Sequence, residues 1–339
     1  VNGPIRIAVM GTGQFGCLHA RTLAALPEAR LTALGNRTRS RAEALAGELG
    51  VADVFGSMDE LIERRLADAV VIATSNETHA PLARQAVGAG LHVLIEKPVG
   101  VNLAEVQCLD GEARHANSVV MAGHVCLFHS LVAPLVERVR HEGFRSTHFV
   151  RHRPAALVRL FPGEHPIAMT MVHDLSVAAQ LAEGDEPVDL EAWDAVDASG
   201  AADQSWARLR WGDGRVATFH AHWILPPAAG DDGHDWMEVF GGGYHTRVAT
   251  NPQAWTWAAD HLTWPVALEM SAVHGRPTGM LAEELRSFLA ACRGAAVPAG
   301  CRICDAVQIQ GWMERLLASA RNHRLRSAGT AAHPSQGAT

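Results

Sequence analysis

The stretch Ile5-Arg-Ile-Ala-Val-Met-Gly-Thr-Gly-Gln-Phe-Gly-Cys-Leu-His-Ala-Arg-Thr-Leu-Ala-Ala-Leu26 moves from an apolar run, through a glycine turn, into a helical pattern. "IRIAVM" has the length and composition of a buried strand, and Cys17 to Leu26 reads as a helix. Between them Gly11, Thr12, Gly13, Gln14, Phe15 and Gly16 spell G-x-G-x-x-G. In such a turn the first glycine permits the tight bend and the second lets backbone approach a pyrophosphate. The third brings helix and strand together, leaving the phosphates at the helix N-terminus. Glycine turns are common, but one at the first strand of an alternating chain points to a dinucleotide.

The alternation continues to residue 123. "RLTALG" is a second strand, followed by a helix over Arg39 to Leu49, and Ser57 with Glu60 forms a capping box for another. "AVVIA" (69–73) is wholly apolar, as in a parallel strand buried on both faces. A helix over His79 to Ala89, the strand "LHVLI", a helix capped by Asn102 and Glu105, and the strand "VVMAG" (119–123) complete the series. Strand–helix alternation at this spacing predicts an α/β Rossmann fold, a doubly wound parallel sheet with right-handed crossovers.

The end of the second strand bears on the cofactor. An acidic residue there would bond a ribose 2′-hydroxyl. Twenty residues beyond Gly16 stands Asn36, uncharged, followed by Arg37, Arg39 and Arg41. A neutral side chain does not repel a 2′-phosphate and guanidinium forks suit one. This favours NADP(H), with NAD(H) as the alternative; the plainer reading of the arginines is a solvated helix start.

The 339 residues suffice for two domains, and 48% hydrophobic with 19% charged residues is an ordinary globular composition. A formal net charge of −7 and the lack of a basic run argue against nucleic acid as a partner. No apolar stretch approaches the roughly 18 residues of a spanning helix, so no membrane partner is expected. A strand begins at Ile5, leaving no room before it for a signal peptide, and a cytoplasmic protein is expected. Six scattered cysteines are expected as thiols. Cys301 and Cys304 form a single C-x-x-C without the second pair a zinc site needs, so no metal is expected. His220 and His222 share one strand face, which suits a solvated or interfacial sheet better than a metal.

After Gly123 the pattern changes. A helix over Ser130 to His141 precedes alternating stretches ("THFVRHR", "SWARLRW", "VATFHAHWI", "WMEVFG"), with "WGDGR" (211–215) as a hairpin turn. A helix over Ala168 to Leu181 interrupts them and another, Cys304 to Asn322, closes the pattern. The expected organisation is a dinucleotide-binding domain over 1–123, an α+β substrate and oligomerisation domain over 124–322 with a large, open, mostly antiparallel sheet, and a small, polar tail over 323–339.

The strand "LHVLI" ends on Glu96-Lys97-Pro98. Proline explains why the strand stops; it does not explain a lysine where open α/β sheets meet their ligands. Together, "GTGQFG", "NRTRSRAEALA", "VVIATSNETH", "AVGAGLHVLIEKP", "GHVCLF" and "MVHDLS" resemble, in order and spacing, the glucose–fructose oxidoreductase / inositol dehydrogenase / MocA (Gfo/Idh/MocA) family, from Ile5 to about Ala320. The resemblance implies that Lys97 gives or takes the proton of a substrate hydroxyl, that the Lys–Pro peptide is cis, and that Glu96 neighbours the cofactor. Partial desolvation of a lysine at that tip fits such a role. Thr74, Ser75, Asn76 and His79 fall in the matching loop and would contact ribose and nicotinamide. His173 falls on the family's histidine beside the hydride acceptor. Met169 stands where the family has an aspartate one turn earlier, and Asp174 cannot replace it, since helix neighbours point about 100° apart. His124, at the segment matching the domain junction, and Arg153 or Arg151 are candidate substrate contacts, and Trp255, Trp257 and Trp264 could stack on a sugar.

These residues and the resemblance together point to an NAD(P)-dependent oxidoreductase moving hydride between nicotinamide and a secondary hydroxyl or ketone of a sugar, cyclitol or aminosugar. Lys97 and His173 would move the proton, in a homodimer or homotetramer. The alternatives are a non-catalytic cofactor sensor or scaffold, which Met169 keeps open, and an NAD-dependent glycosidase.

Overall fold

The computed structural model describes residues 3–155, 163–226, 233–251, 256–258, 261–263, 271–273 and 276–331; side chains at 256–273 and 327–331 are not among them. Contacts group the chain as 1–133 with 268–310, and 134–267 with 311–339, rather than by a linear boundary after Gly123.

In the first unit, β1 (Ile5–Met10), β2 (Ala29–Gly35), β3 (Asp53–Phe55), β4 (Ala69–Ile72), β5 (His92–Glu96) and β6 (Val120–Gly123) form one sheet in the order β3-β2-β1-β4-β5-β6. Every pairing is parallel. That is the order of a dinucleotide-binding sheet, with the strand order reversing between β1 and β4. Ile7, Val9, Val70, Val71, Val93 and Leu94 are fully buried, as strands covered on both faces must be. The three-residue β3 is an addition to the strands read from sequence; it is too short for a periodic signal and is held by pairing with Ala33 to Gly35.

The crossover helices are α1 (Gln14–Ala25), α2 (Arg39–Leu49), α3 (Met58–Glu63), α4 (Asn76–Gly88) and α5 (Leu103–Ala113). Both predicted capping boxes form with one change. Ser57 and Asn102 accept from the amides of Glu60 and Glu105. The returning carboxylates, however, accept from Gly56 and Val101, one residue before the cap. The sequence from 268 adds α8 (Met280–Ala291), whose Leu281, Leu285, Phe288 and Leu289 are buried. Cys301 continues the sheet edge through its carbonyl, which accepts from Ala122 N–H at 2.8 Å.

In the second unit β7 (Ser146–Pro154), β8 (Asp189–Val196), β9 (Ala202–Arg210), β10 (Val216–Leu225), β11 (His234–Phe240) and β12 (His245–Asn251) form a sheet in the order β12-β11-β7-β10-β9-β8. The central pair β7–β10 is parallel and the other pairings are antiparallel. In that central pair Phe149 opposes Phe219, ring on ring at 5.0 Å. One face carries Phe149, Ala207, Leu209, Ala217 and Phe219, all buried. The opposite face carries His148, His152, Trp206, His220 and His222, in which His152 stacks on His222 at 3.8 Å and Trp206 on His220 at 4.9 Å.

The helices outside the alternating part are α6 (Val132–Glu142), α7 (Val172–Leu181) and α9 (Ile303–Ala331). α7 does not begin as an α-helix at Ala168; Ile167–Met171 is a π-helical turn, closed by Val172 N–H to the Ile167 carbonyl. α9 also corrects the expected end at Asn322 and tail from 323. Helix-forming Arg, Leu and Ala residues carry it to Ala331, and His323 and Arg324 pair with Glu191 and Asp194 of β8. No helix among the described residues is long and apolar enough to cross a membrane.

Candidate active site

The glycine loop leaves no room for a side chain at two of its three glycines. Gly11 has φ +101°, and a Cβ on it would lie 2.2 Å from the Ala73 carbonyl oxygen. A Cβ on Gly16 would lie 1.9 Å from the Gly11 carbonyl oxygen. Gly13 has nothing within 4 Å on that side. It caps α1 without any side-chain bond to the first turn, so the amides that follow stay available to an anion. Gln14 is exposed beside it, and the half-buried Phe15 sets its ring edge-on to His19 at 5.2 Å. These features fit a bound pyrophosphate.

Asn36 follows β2 and is tied to this loop. Its Nδ2 donates to Thr12 Oγ1 at 2.7 Å, and its Oδ1 accepts from Thr38 N–H at 2.8 Å. Of the arginines beyond it, Arg39 donates to the Val54 carbonyl and pairs with Glu43 and Glu60. Arg37 and Arg41 are exposed; the Arg41 amide donates to the Thr38 carbonyl at 3.0 Å, and the charge of Arg37 helps hold the Glu77 carboxyl below its usual range, after the Ser75 hydroxyl that bonds it.

Beyond β4, Thr74 Oγ1 accepts from Thr78 at 2.7 Å, exposed Ser75 donates to Glu77, and half-buried Asn76 opens α4. His79 is held between two backbone carbonyls. It is 1% exposed, with its ring nitrogens on the carbonyls of Pro98 (2.7 Å) and Thr74 (3.1 Å). It clamps the loop after β4 to the tip of β5.

That tip carries the half-buried Lys97, and the Lys97–Pro98 peptide is cis. Glu96 is buried: its Oε1 accepts from His19 Nε2 at 2.7 Å and its Oε2 from the Lys97 amide at 3.2 Å. His124, the candidate substrate contact, is buried as well. It is 3% exposed, its Nδ1 donates to the Gly300 carbonyl at 2.7 Å, and burial pushes its basicity down.

In the second unit, Met169 lies in the π-helical turn and His173 in the first turn of α7, both half-buried. Asp174 points elsewhere, accepting from Arg151 Nε at 2.9 Å. Arg151 and Arg153 both reach Asp235, the latter with two nitrogens. Burial lifts Asp174 to about 6 even beside that guanidinium. Arg153, expected at the substrate, is thus engaged by a carboxylate. Trp255 and Trp264 lie outside the described residues, and Trp257 is described by backbone alone.

Three participants are absent from the candidates that the sequence suggests: His19, Glu284 and Asp235. His19 carried a signal, a polar residue on the buried side of α1 three positions after Gly16. Glu284 carried another, standing in the apolar stripe of Leu281, Leu285 and Phe288.

Known proteins share these features. The oxidoreductase family with an NAD-binding Rossmann fold, GFO_IDH_MocA, matches residues 5–124. UDP-N-acetylglucosamine 3-dehydrogenase of Acidithiobacillus ferrooxidans is 31% identical over 222 residues, which span 65% of this chain and 68% of that protein. The chain belongs to the Gfo/Idh/MocA oxidoreductase family. Its likeness to other Gfo/Idh/MocA members extends beyond the glycine loop. The solved structure of the A. ferrooxidans enzyme superposes with a TM-score of 0.78 at 25% identity, covering 93% of this chain and 97% of that one. Myo-inositol 2-dehydrogenase of Thermotoga maritima is 31% identical over 147 residues, 43% of this chain and 44% of that protein. An NAD(P)-binding Rossmann fold in an oxidoreductase is therefore the common ground on which the site stands.

Proposed function

We propose that this protein moves hydride between NAD(P) and a secondary hydroxyl or ketone of a sugar, cyclitol or aminosugar, with Lys97 as the acid–base group. The observation that carries the reading is the tip of β5: a half-buried lysine whose own amide is held by Glu96 and whose following residue is clamped by His79. A dinucleotide held by its pyrophosphate at the glycine loop would supply the hydride chemistry through its nicotinamide. Lys97 takes the hydroxyl proton during oxidation or returns it during reduction, as an acid–base side chain positioned at the strand tip. His173 assists that transfer, and Met169 presents an apolar contact to the substrate. A UDP-linked aminosugar is the first substrate to try, given the A. ferrooxidans relative. Cofactor absorbance followed across a panel of sugars, cyclitols and nucleotide sugars tests the reading. Lys97→Ala is expected to lower kcat by about 10²–10⁴ while cofactor affinity holds. A variant as fast as wild type would make Lys97 structural.

NADP(H) is the favoured cofactor, because Asn36 is neutral and the guanidinium groups of Arg37 and Arg41 beyond it are exposed. NADPH should bind more tightly than NADH in a fluorescence titration, and Arg37→Ala should narrow the difference; tighter NADH binding by the wild type reverses the assignment. The reading places the protein in the cytoplasm, where its six cysteine thiols would be kept reduced. It also places it in a homodimer or homotetramer, built on the sheet face where Trp193 and Phe240 remain more than 40% exposed. Light scattering that reads a monomer at micromolar concentration would exclude that assembly.

A further inference from the structure

Behind Glu96 lies a carboxyl group that this mechanism does not use. Glu284 of α8 is 0% exposed, and neither of its oxygens has a hydrogen-bond partner among the described residues. His19, also 0% exposed, and Glu96, 6% exposed, face it; donor atoms of the three lie within 4.8 Å of one another. Glu96 is already held twice, by His19 Nε2 and by the Lys97 amide. A second carboxylate this close, away from water, would face a like charge with nothing to offset it, whereas a carboxylic acid there supplies a donor.

We propose that Glu284 is a positioning residue that carries a proton: as a neutral acid it donates toward the Glu96 carboxylate from behind, and Glu96 holds the main chain at Lys97. An oxygen of each carboxyl group lies within 4.8 Å of one from the other. Burial, and then the charge of Glu96, raise Glu284 well above the usual carboxylate range. The titratable groups facing it are Glu96 at the tip of β5, His19 from α1 and Cys301 before α9, whose thiol is pushed up by burial and by Glu284 itself. The proton on Glu284 is independent of what Lys97 does; its effect on turnover rests on Lys97 being the acid–base group.

The test compares Glu284→Gln, which keeps shape and a donor, with Glu284→Leu, which keeps neither. Infrared spectra of the wild type at neutral pH should show the carbonyl band of a buried carboxylic acid, absent from Glu284→Gln. Thermal stability should diverge as well. A glutamate whose folded pKa is raised adds stability below about 4.3 that fades as pH rises, so Glu284→Gln should gain on wild type with rising pH. Glu284→Leu should lower kcat about tenfold with cofactor affinity kept, and Glu284→Gln should hold it within about threefold. A band that persists in Glu284→Gln, or a stoichiometric divalent cation in the purified wild type that Glu284→Gln loses, overturns the proton assignment. Equal loss of kcat in the two variants overturns the positioning role. Normal turnover in Lys97→Ala, with the infrared and stability results as expected, would instead locate the failure in the reading of Lys97.

Discussion

The glycine loop and the opening of α7 hold residues assigned to one reaction, yet they are constrained in opposite ways. At the loop, backbone meets backbone: side chains are excluded at Gly11 and Gly16 by carbonyl oxygens about 2 Å away. At the opening of α7, side chains do the holding, through Asp174, Arg151, Arg153 and Asp235, over a π-helical turn. A backbone constraint admits one residue type, while a side-chain constraint admits any set that closes the same network. The second site can therefore change its chemistry, as Met169 indicates, while the first cannot.

The sharpest way to break this comparison is at the glycines. Gly16→Ala drives a methyl into the Gly11 carbonyl and should cost ~3 kcal/mol or more of stability, and most of the cofactor affinity. Gly13→Ala meets open space and should leave the melting temperature almost unchanged, so that any effect appears in cofactor titration alone. Equal destabilisation of the two would show that the loop is looser than its contacts.

Met169→Asp probes the other region. If an apolar part of the substrate packs against Met169, a carboxylate there is poorly solvated and should reduce kcat/KM on the native substrate about tenfold. A gain of sugar oxidation in a wild type otherwise inactive across the panel would favour a cofactor sensor or scaffold instead.

The smallest effect is expected on the far sheet face. Burial, and then neighbouring imidazoles, push His152 and His222 down to about 4. Unfolded imidazoles take protons near 6.5, so the folded state binds fewer protons between these values. The stability this confers is complete above about pH 6.5 and is lost as pH falls toward 4. His152→Gln should flatten the fall in melting temperature over that window by a few degrees, about 3 °C. Parallel curves for the two proteins would show that the ladder titrates as it does when unfolded.

What was legible from sequence divides in the same way. Glycines, caps and strand–helix alternation state local backbone requirements, so the Rossmann sheet, the helix caps and the tip at Lys97 could be read directly. His19 with Glu96, and Arg151 with Asp235, join residues far apart in the chain, and a single sequence carries no sign of which distant charges meet. At Glu96, His79 and His124, residue type and place in a motif were visible, but the partners that hold each side chain lie elsewhere in the chain. The π-helical turn was hidden because one extra residue per turn barely disturbs a short apolar pattern.

The bond from Asn36 to Thr12 has a practical consequence for redesign. Exchanging cofactor preference is commonly attempted by replacing the residue after the second strand alone. Here that residue is also a strut of the phosphate loop, with its amide nitrogen on Thr12 and its oxygen on the Thr38 amide. Asn36→Asp would add the acid that suits an unphosphorylated ribose but remove the donor that Thr12 receives. A library for altered cofactor use should therefore vary positions 12 and 36 as a pair, with Arg37 and Arg41 free and Gly11 and Gly16 held.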